Sequence, residues 1–311
     1  MSPVRGELEM VTLLAARLPP PPAGEVWIGD DAAVFSAPDG SILLTIDTVV
    51  DGVHFRQDLV GLDDAGWKAL TTSVSDVAAM GGRPLRAVVA ATVPDASVLE
   101  PVYAGLLAAA EECGCPVVGG DLTAGPVLVL TVAVTGHVPA GEPPAVLRSG
   151  ARAGHLIWVT GPLGSSAAGL EALQVGEREG GQAAALVAAH LRPRARLAEG
   201  RVARLAGASS MIDVSDGLGL DLARLGRASG VAARLDEAPV APGATLEQAL
   251  GGGEDYELVF TAAPGVDMAS AFEGAGLGAP LPIGRCEAGE AGAVFLAGRR
   301  LEATGYQHWE S

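Results

Sequence analysis

The chain has 311 residues, long enough for two domains of ordinary size, with 49% hydrophobic and 18% charged residues, a globular rather than disordered composition. Its formal net charge is −17 and Lys68 is the only lysine. That balance argues against a nucleic-acid partner, because phosphate backbones are gripped by clustered Lys and Arg. The three cysteines, Cys113, Cys115 and Cys286, are an odd set that suits neither a disulfide framework nor a zinc site. No apolar run reaches the ~18 residues of a membrane span, and the opening segment reads as a short helix ending in prolines rather than a signal peptide. The expected setting is cytoplasmic, with no membrane partner.

In chain order, strand-like pieces at Val26–Ile28, Ala32–Phe35 and Ile42–Ile46 follow the proline run. The spacing of Trp67, Leu70, Val74, Val77, Ala78 and Gly81 predicts a helix over about residues 63–81, with those residues as its buried stripe. A strand at Leu85–Val93, a Leu- and Ala-rich helix at Ser97–Cys113, a short strand at Pro116–Gly119 and a long β-branched strand at Val127–Val138 come next. The Gly- and Pro-rich stretch from Pro139 to Gly154 is the expected domain boundary, separating residues 1–138 from residues 149–311. Beyond it the pattern predicts a strand at Leu156–Thr160, a helix after Gly164–Ser165, more helix through 181–206, a strand at Met211–Val214 and a helix at 217–229. Further strands are expected near 231–235, 256–261, 281–285 and 293–297. Strands and helices mix without regular alternation, which predicts two α+β domains within an α/β chain.

Six short motifs set carboxylates or hydroxyls at strand ends and glycine turns: Gly29-Asp30-Asp31, Thr45-Ile46-Asp47, Ser75-Asp76, Gly119-Gly120-Asp121, Asp213-Val214-Ser215-Asp216-Gly217 and Gly252-Gly253-Glu254-Asp255. Any one alone is an ordinary turn or cap, since Asp, Ser and Gly serve there routinely. Together, directly after apolar strand-like runs, they suit hard divalent cations such as magnesium, which take carboxylate oxygens and the phosphates of a substrate. Asp76 lies nine residues after Trp67, on the wheel position opposite the apolar stripe, where periodicity alone reads as a solvated face. His54 and Arg148 are each open to a structural or a ligand-binding reading. A P-loop is excluded, because Lys68 sits within a helix rather than after a Gly-x4-Gly turn.

The motifs IGDDAAV, LLTIDTVVDGVHF, GWKALTTSVSDVAAMGG, VVGGDLTAG, RSGARAG, VTGPLGSSAAGL, HLRPRAR, IDVSDGL and GGGEDYELVFT run in the order seen in thiamine-monophosphate kinases, which the chain resembles from about Gly29 to Tyr306. The resemblance implies the two-domain fold of aminoimidazole-ribonucleotide synthetase. In that fold the N-terminal domain pairs with its counterpart in a homodimer and the C-terminal domain closes over the active site. It implies magnesium-dependent transfer of a phosphoryl group from ATP to thiamine monophosphate. Carried over residue by residue, Asp31, Thr45, Ile46, Asp47, Asp76, Asp121, Asp213 and Asp216 resemble the magnesium-binding positions, Ile46 through its backbone alone. Tyr103, Gly120, Asp121, Arg148 and Ser215 resemble the ATP contacts. His54, Glu254 and Tyr306 resemble the contacts to thiamine phosphate. The alternatives are another ATP-dependent enzyme of the same superfamily, or a catalytically silent ATP- or metal-binding regulator. Selenophosphate synthetases carry a reactive cysteine near the N terminus, whereas the first cysteine here is Cys113.

Overall fold

A computed structural model describes residues 13–14, 16–20, 22, 38–302 and 305–306. The strands expected at Val26–Ile28 and Ala32–Phe35 lie outside the described residues, as do Asp30 and Asp31. The chain divides into two units, Met1–Val74 with Pro84–Ala140, and Ser75–Arg83 with Gly141–Ser311.

In the first unit four strands form one sheet in the order β1-β4-β2-β3. They are β1 (Gly40–Val50), β2 (Arg83–Val93), β3 (Val117–Ala124) and β4 (Val129–Pro139). Strand β1 runs antiparallel to β4, and β2 parallel to β3. Helix α1 (Leu62–Ala79) and helix α2 (Leu99–Cys113) supply the apolar cover. The stripe read from the sequence is the buried one: Leu70 and Val74 have no exposed surface, and the Ser73 hydroxyl donates to the Val132 carbonyl of β4 at 2.9 Å. The other sheet face is open. Ile42, Leu44 and Ile46 alternate along β1 and are 49%, 77% and 64% exposed, with Val88 of β2 also out.

The second unit holds a mixed seven-stranded sheet in the order β11-β10-β7-β9-β5-β8-β6. Its strands are β5 (Leu156–Val159), β6 (Ala208–Asp213), β7 (Ala232–Leu235), β8 (Leu258–Ala262), β9 (Leu281–Glu287), β10 (Val294–Leu296) and β11 (Arg299–Arg300). Successive residues point to opposite faces, so Ile212 and Val259 enter one core with Leu218, Leu222 and Leu225 of α6 (Leu218–Ser229). Met211, Leu258 and Phe260 enter another, with Ala203 of α5 (Leu197–Ala206) and Phe272 of α8 (Met268–Gly274). The rings of Phe260 and Phe272 stack with centroids 6.0 Å apart.

The helix expected through 181–206 is present as two helices, α4 (Gly181–Leu191) and α5. Pro193 removes a backbone donor and disfavours helix in the residue before it, so the chain breaks between them. Helices α3 (Ser165–Gln174) and α7 (Leu246–Gly251) complete the unit. Arg204 of α5 is buried, and its guanidinium donates to the carbonyls of Gly81 and Pro143 and to Glu142. It thereby ties the turn after α1 to the segment entering the second unit's main stretch.

Candidate active site

In the first unit, the register Thr45↔Val134 and Asp47↔Val132 puts Thr45 and Asp47 on the helix-covered side of β1 with the buried valines of β4. Ile46 points its side chain to the open face, leaving only its backbone for the side that Thr45 and Asp47 share. On β3, Gly120 lies so close to β2 that a Cβ there would stand 1.9 Å from the Val89 carbonyl oxygen, so only glycine fits. Asp121 follows opposite Ala90, exposed, with the Thr123 hydroxyl 3.3 Å from its carboxylate. Strands β1 and β3 are the two edges of the sheet, so Asp47 and Asp121 are not brought together within one chain. Just past β1, His54 Nδ1 accepts the Val50 N–H at 3.1 Å. A neutral ring accepting at Nδ1 carries its proton on Nε2 and can donate from there. Tyr103 is buried in α2, which pushes its phenol up to about 12, so it is a neutral hydroxyl.

In the second unit, β6 ends at Asp213, whose side chain is buried and accepts the Ser75 hydroxyl at 2.6 Å. Burial first, then the negative charge of Asp76, pushes the Asp213 carboxyl up to about 7, against the Ser75 hydrogen bond and the Arg148 charge, which pull it down. The Asp213–Gly217 loop is joined to two other segments. Glu254 N donates to Ser215 O at 2.8 Å, Tyr256 N to Val214 O at 3.0 Å, and Tyr306 N to Asp216 O at 3.2 Å. A Cβ on Gly253 would stand 2.5 Å from Ser215 O, so glycine is what lets these loops touch. Ser215, Asp216, Glu254 and Tyr306, scattered over almost a hundred residues of sequence, thus share one place.

Glu254 and Tyr256 have φ of 65° and 51°, two of the three non-glycine residues with positive φ among the described residues. Such backbone costs of order 1–3 kcal/mol per residue and persists where the surroundings impose it. Asp255, between them, does so: its carboxylate accepts Gly164 N at 2.6 Å and Ser166 N at 3.0 Å, binding the loop to the start of α3. Burial pushes that carboxyl up to about 6. Ser166 Oγ lies 3.0 Å from His190 Nδ1, and the same nitrogen is 3.7 Å from Glu254 Oε2. Next in sequence, the buried Glu257 takes Arg196 at 2.5 Å and the Thr160 hydroxyl at 2.5 Å, so Arg196 of the HLRPRAR motif braces the loop. Asp255 stands in one of the six acidic motifs, but it, Glu257, Arg196 and His190 carry no assigned site role in the sequence; their roles are contacts across long sequence separations, which no local pattern announces. Asp221 was missed as well, although its place in SDGLGLD, four residues after the N-cap glycine, was a usable signal.

Among the described residues no three His, Cys, Asp or Glu side chains converge closely enough to hold a metal ion by themselves. The donor chemistry nevertheless fits magnesium. Asp213 and Asp76 are hard-oxygen donors whose negative charges act on one another. Magnesium is commonly bound by one or two carboxylates completed by substrate phosphates and water.

Family models for AIR synthase related proteins match both parts of the chain, the N-terminal domain over residues 29–138 and the C-terminal domain over residues 152–296. The thiamine-monophosphate kinase of Salmonella typhimurium is 42% identical over 252 residues, 76% of each chain. The chain belongs to the thiamine-monophosphate kinase family. Solved members share its fold. The thiamine-monophosphate kinase of Stenotrophomonas maltophilia K279a superposes with a TM-score of 0.80 at 32% identity, over 94% of this chain and 95% of the other. AaThiL complexed with AMPPCP and TMP superposes with a TM-score of 0.78 at 33% identity, over 98% and 97%. The aminoimidazole-ribonucleotide synthetase-like fold expected of the thiamine-monophosphate kinase family is therefore the fold observed.

Proposed function

We propose that this protein is a thiamine-monophosphate kinase that transfers the γ-phosphoryl group of ATP directly to the phosphate of thiamine monophosphate, giving thiamine diphosphate and ADP. The observation that carries the reading is the junction of Ser215, Asp216, Glu254 and Tyr306, where the residues expected at nucleotide, metal and acceptor meet on adjoining loops. The names of the relatives support the same assignment.

The acceptor phosphate has a second pKa near ~6 and is already largely dianionic at neutral pH, so the reaction needs no strong general base. Its difficulty is holding two polyanions in line. Magnesium, when bound, neutralises charge on the phosphates, and Asp213, Asp216, Asp76, Asp47, Thr45, Asp121, Asp31 and the Ile46 backbone are the groups that would hold it. Arg148, Ser215, Gly120 and Tyr103 serve ATP. His54, presenting Nε2–H, donates to the acceptor, Glu254 offers a negative charge to its cationic ring, and Tyr306, 45% exposed, offers a stacking face.

Residues 1–138 form the nucleotide- and metal-binding, dimerising domain in this reading, and residues 149–311 the second domain. A homodimer is supported by the open apolar face of β1, whose Ile42, Leu44 and Ile46 need cover. It is supported also by the separation of Asp47 and Asp121 on opposite sheet edges, which a second copy would bring together. Three free cysteines suit a reducing, cytoplasmic setting. Among the described residues no helix is long and apolar enough to cross a membrane.

The test is ADP release, with and without thiamine monophosphate and with and without Mg²⁺. Turnover that needs both, with thiamine diphosphate as product, is expected. Equal phosphorylation of free thiamine would overturn the substrate assignment.

A further inference from the structure

Helix α6 begins at Leu218, and its fourth residue, Asp221, is fully buried. One carboxylate oxygen, Oδ2, accepts three successive backbone N–H groups, from Ser215 at 3.1 Å, Asp216 at 2.9 Å and Gly217 at 3.1 Å. The other, Oδ1, accepts Arg224 Nη1 at 2.7 Å, and the same nitrogen donates to Asp216 Oδ2. A helix cap normally precedes its helix and bonds the N–H groups of the first turn. Asp221 does the reverse: it reaches back from inside the helix to N–H groups that lie before it. What it organises is the loop.

Three converging N–H groups at a helix start ordinarily make a site for an anion such as phosphate. Here the protein's own carboxylate occupies that position. The loop therefore has no free backbone donors at Ser215, Asp216 and Gly217 to give a nucleotide phosphate. What remains for a ligand is the Ser215 hydroxyl and the carboxylates of Asp213 and Asp216, and Arg224 sets the Asp216 carboxylate from one turn further along.

We infer that Asp221 is the positioning residue of this site, fixing the Ser215–Gly217 backbone so that Asp213 and Asp216 are presented as a preformed cation-binding pair. The inference rests on the proposed role of those aspartates. Partners of this kind, which act through the groups that touch the ion, typically change metal affinity or activity by about 10–100-fold when removed.

The experiment compares wild type, Asp221→Ala, Asp221→Asn and Asp216→Asn in the full-length protein. It measures Mn²⁺ binding by electron paramagnetic resonance without substrates, the Mg²⁺ concentration for half-maximal activity, and hydrogen exchange of amides 215–217. In Asp221→Ala the three amides should exchange fast, Mn²⁺ affinity should fall and the half-saturating Mg²⁺ should rise, each by about tenfold or more. Asp221→Asn keeps one acceptor oxygen and should recover part of each change; if the alanine variant does not fold, this variant against wild type carries the comparison. Fast amide exchange with unchanged Mn²⁺ and Mg²⁺ dependence, while Asp216→Asn does weaken Mn²⁺, would overturn the inference and leave the aspartates' role standing. Unchanged Mn²⁺ binding in both the Asp216 and Asp221 variants would overturn both.

Discussion

The Ser75 hydroxyl donates to the Asp213 carboxylate at 2.6 Å, and the next residue, Asp76, brings a second negative charge to the same buried place. Burial and that like charge both oppose ionisation, against the pull of the Ser75 hydrogen bond and the Arg148 charge. Such an arrangement costs stability, and a bound cation, as proposed above, would offset that cost. Asp213→Asn preserves shape and can still accept the Ser75 hydroxyl. It should leave Tm unchanged or raise it by a few degrees while lowering activity by orders of magnitude. A lower Tm with near-normal turnover would return Asp213 to a purely structural role.

His54 should separate two amide replacements. Its Nδ1 is taken by the Val50 N–H, so in the proposed role the donating atom is Nε2. Gln places its amide near the Nε2 position, whereas Asn reaches only as far as Nδ1. His54→Gln should therefore retain more kcat/KM for thiamine monophosphate than His54→Asn, by about tenfold, roughly one hydrogen bond to a charged group. Equal losses in the two variants would show that the Nε2 donor is not what His54 supplies.

Much of the fold was legible because apolar spacing on α1 reports burial directly and the β-branched run of β4 declares a strand. On β1, by contrast, the apolar Ile42, Leu44 and Ile46 face out, so its sequence shows the strand but not its buried side. Within the helical stretch over 181–206, the break that Pro193 makes was not read. Helices α7 and α8 were missed because six or seven residues show too little periodicity. At the candidate site, Asp213, Asp216 and Asp255 stand in the acidic motifs, and Asp76, which periodicity alone assigns to a solvated face, takes its proposed role from family resemblance. Asp221 stands outside those motifs, and the bracing contacts of Asp255 are equally silent, because an aspartate that accepts backbone N–H groups looks in sequence like any turn aspartate. Their work is visible only once Gly217 and Gly164 are placed beside them.

Asp255 gives the site a pH signature. Its carboxyl ionises near 3.8 in the unfolded chain and near about 6 in the folded protein, burial being the leading cause. The folded state holds the proton more tightly, so Asp255 contributes its full stability below the unfolded value and loses it as pH rises through about 6. Asp255→Asn cannot titrate. Between about pH 4 and about pH 7 the unfolding free energy of wild type should drop relative to the variant by up to roughly 3 kcal/mol. A wild-type-minus-variant difference that stays constant across that range in denaturant titrations would be the contrary result.

The strand order places Asp47 and Asp121 on opposite edges of one four-stranded sheet. The register sharpens the separation: Asp47 faces the helix-covered side with Val132, and Asp121 sits beside the exposed Ala90. If both serve one bound ion or nucleotide, the two must come from different copies of the chain, with β1 of one protomer beside β3 of its partner. Each single variant, Asp47→Asn or Asp121→Asn, then spoils every site in its own homodimer. A mixed dimer behaves differently. One of its two sites receives both substitutions and the other receives neither, so activity returns when two inactive proteins are unfolded together and refolded, or co-expressed. Random pairing makes half of the dimers mixed, each with one intact site, so recovery should approach about one quarter of wild-type activity. Light scattering should show a dimer in the same samples, and disrupting the open face with Leu44→Asp should abolish both the dimer and the recovery. No recovery from a mixture shown to contain mixed dimers would mean that Asp47 and Asp121 act in separate places.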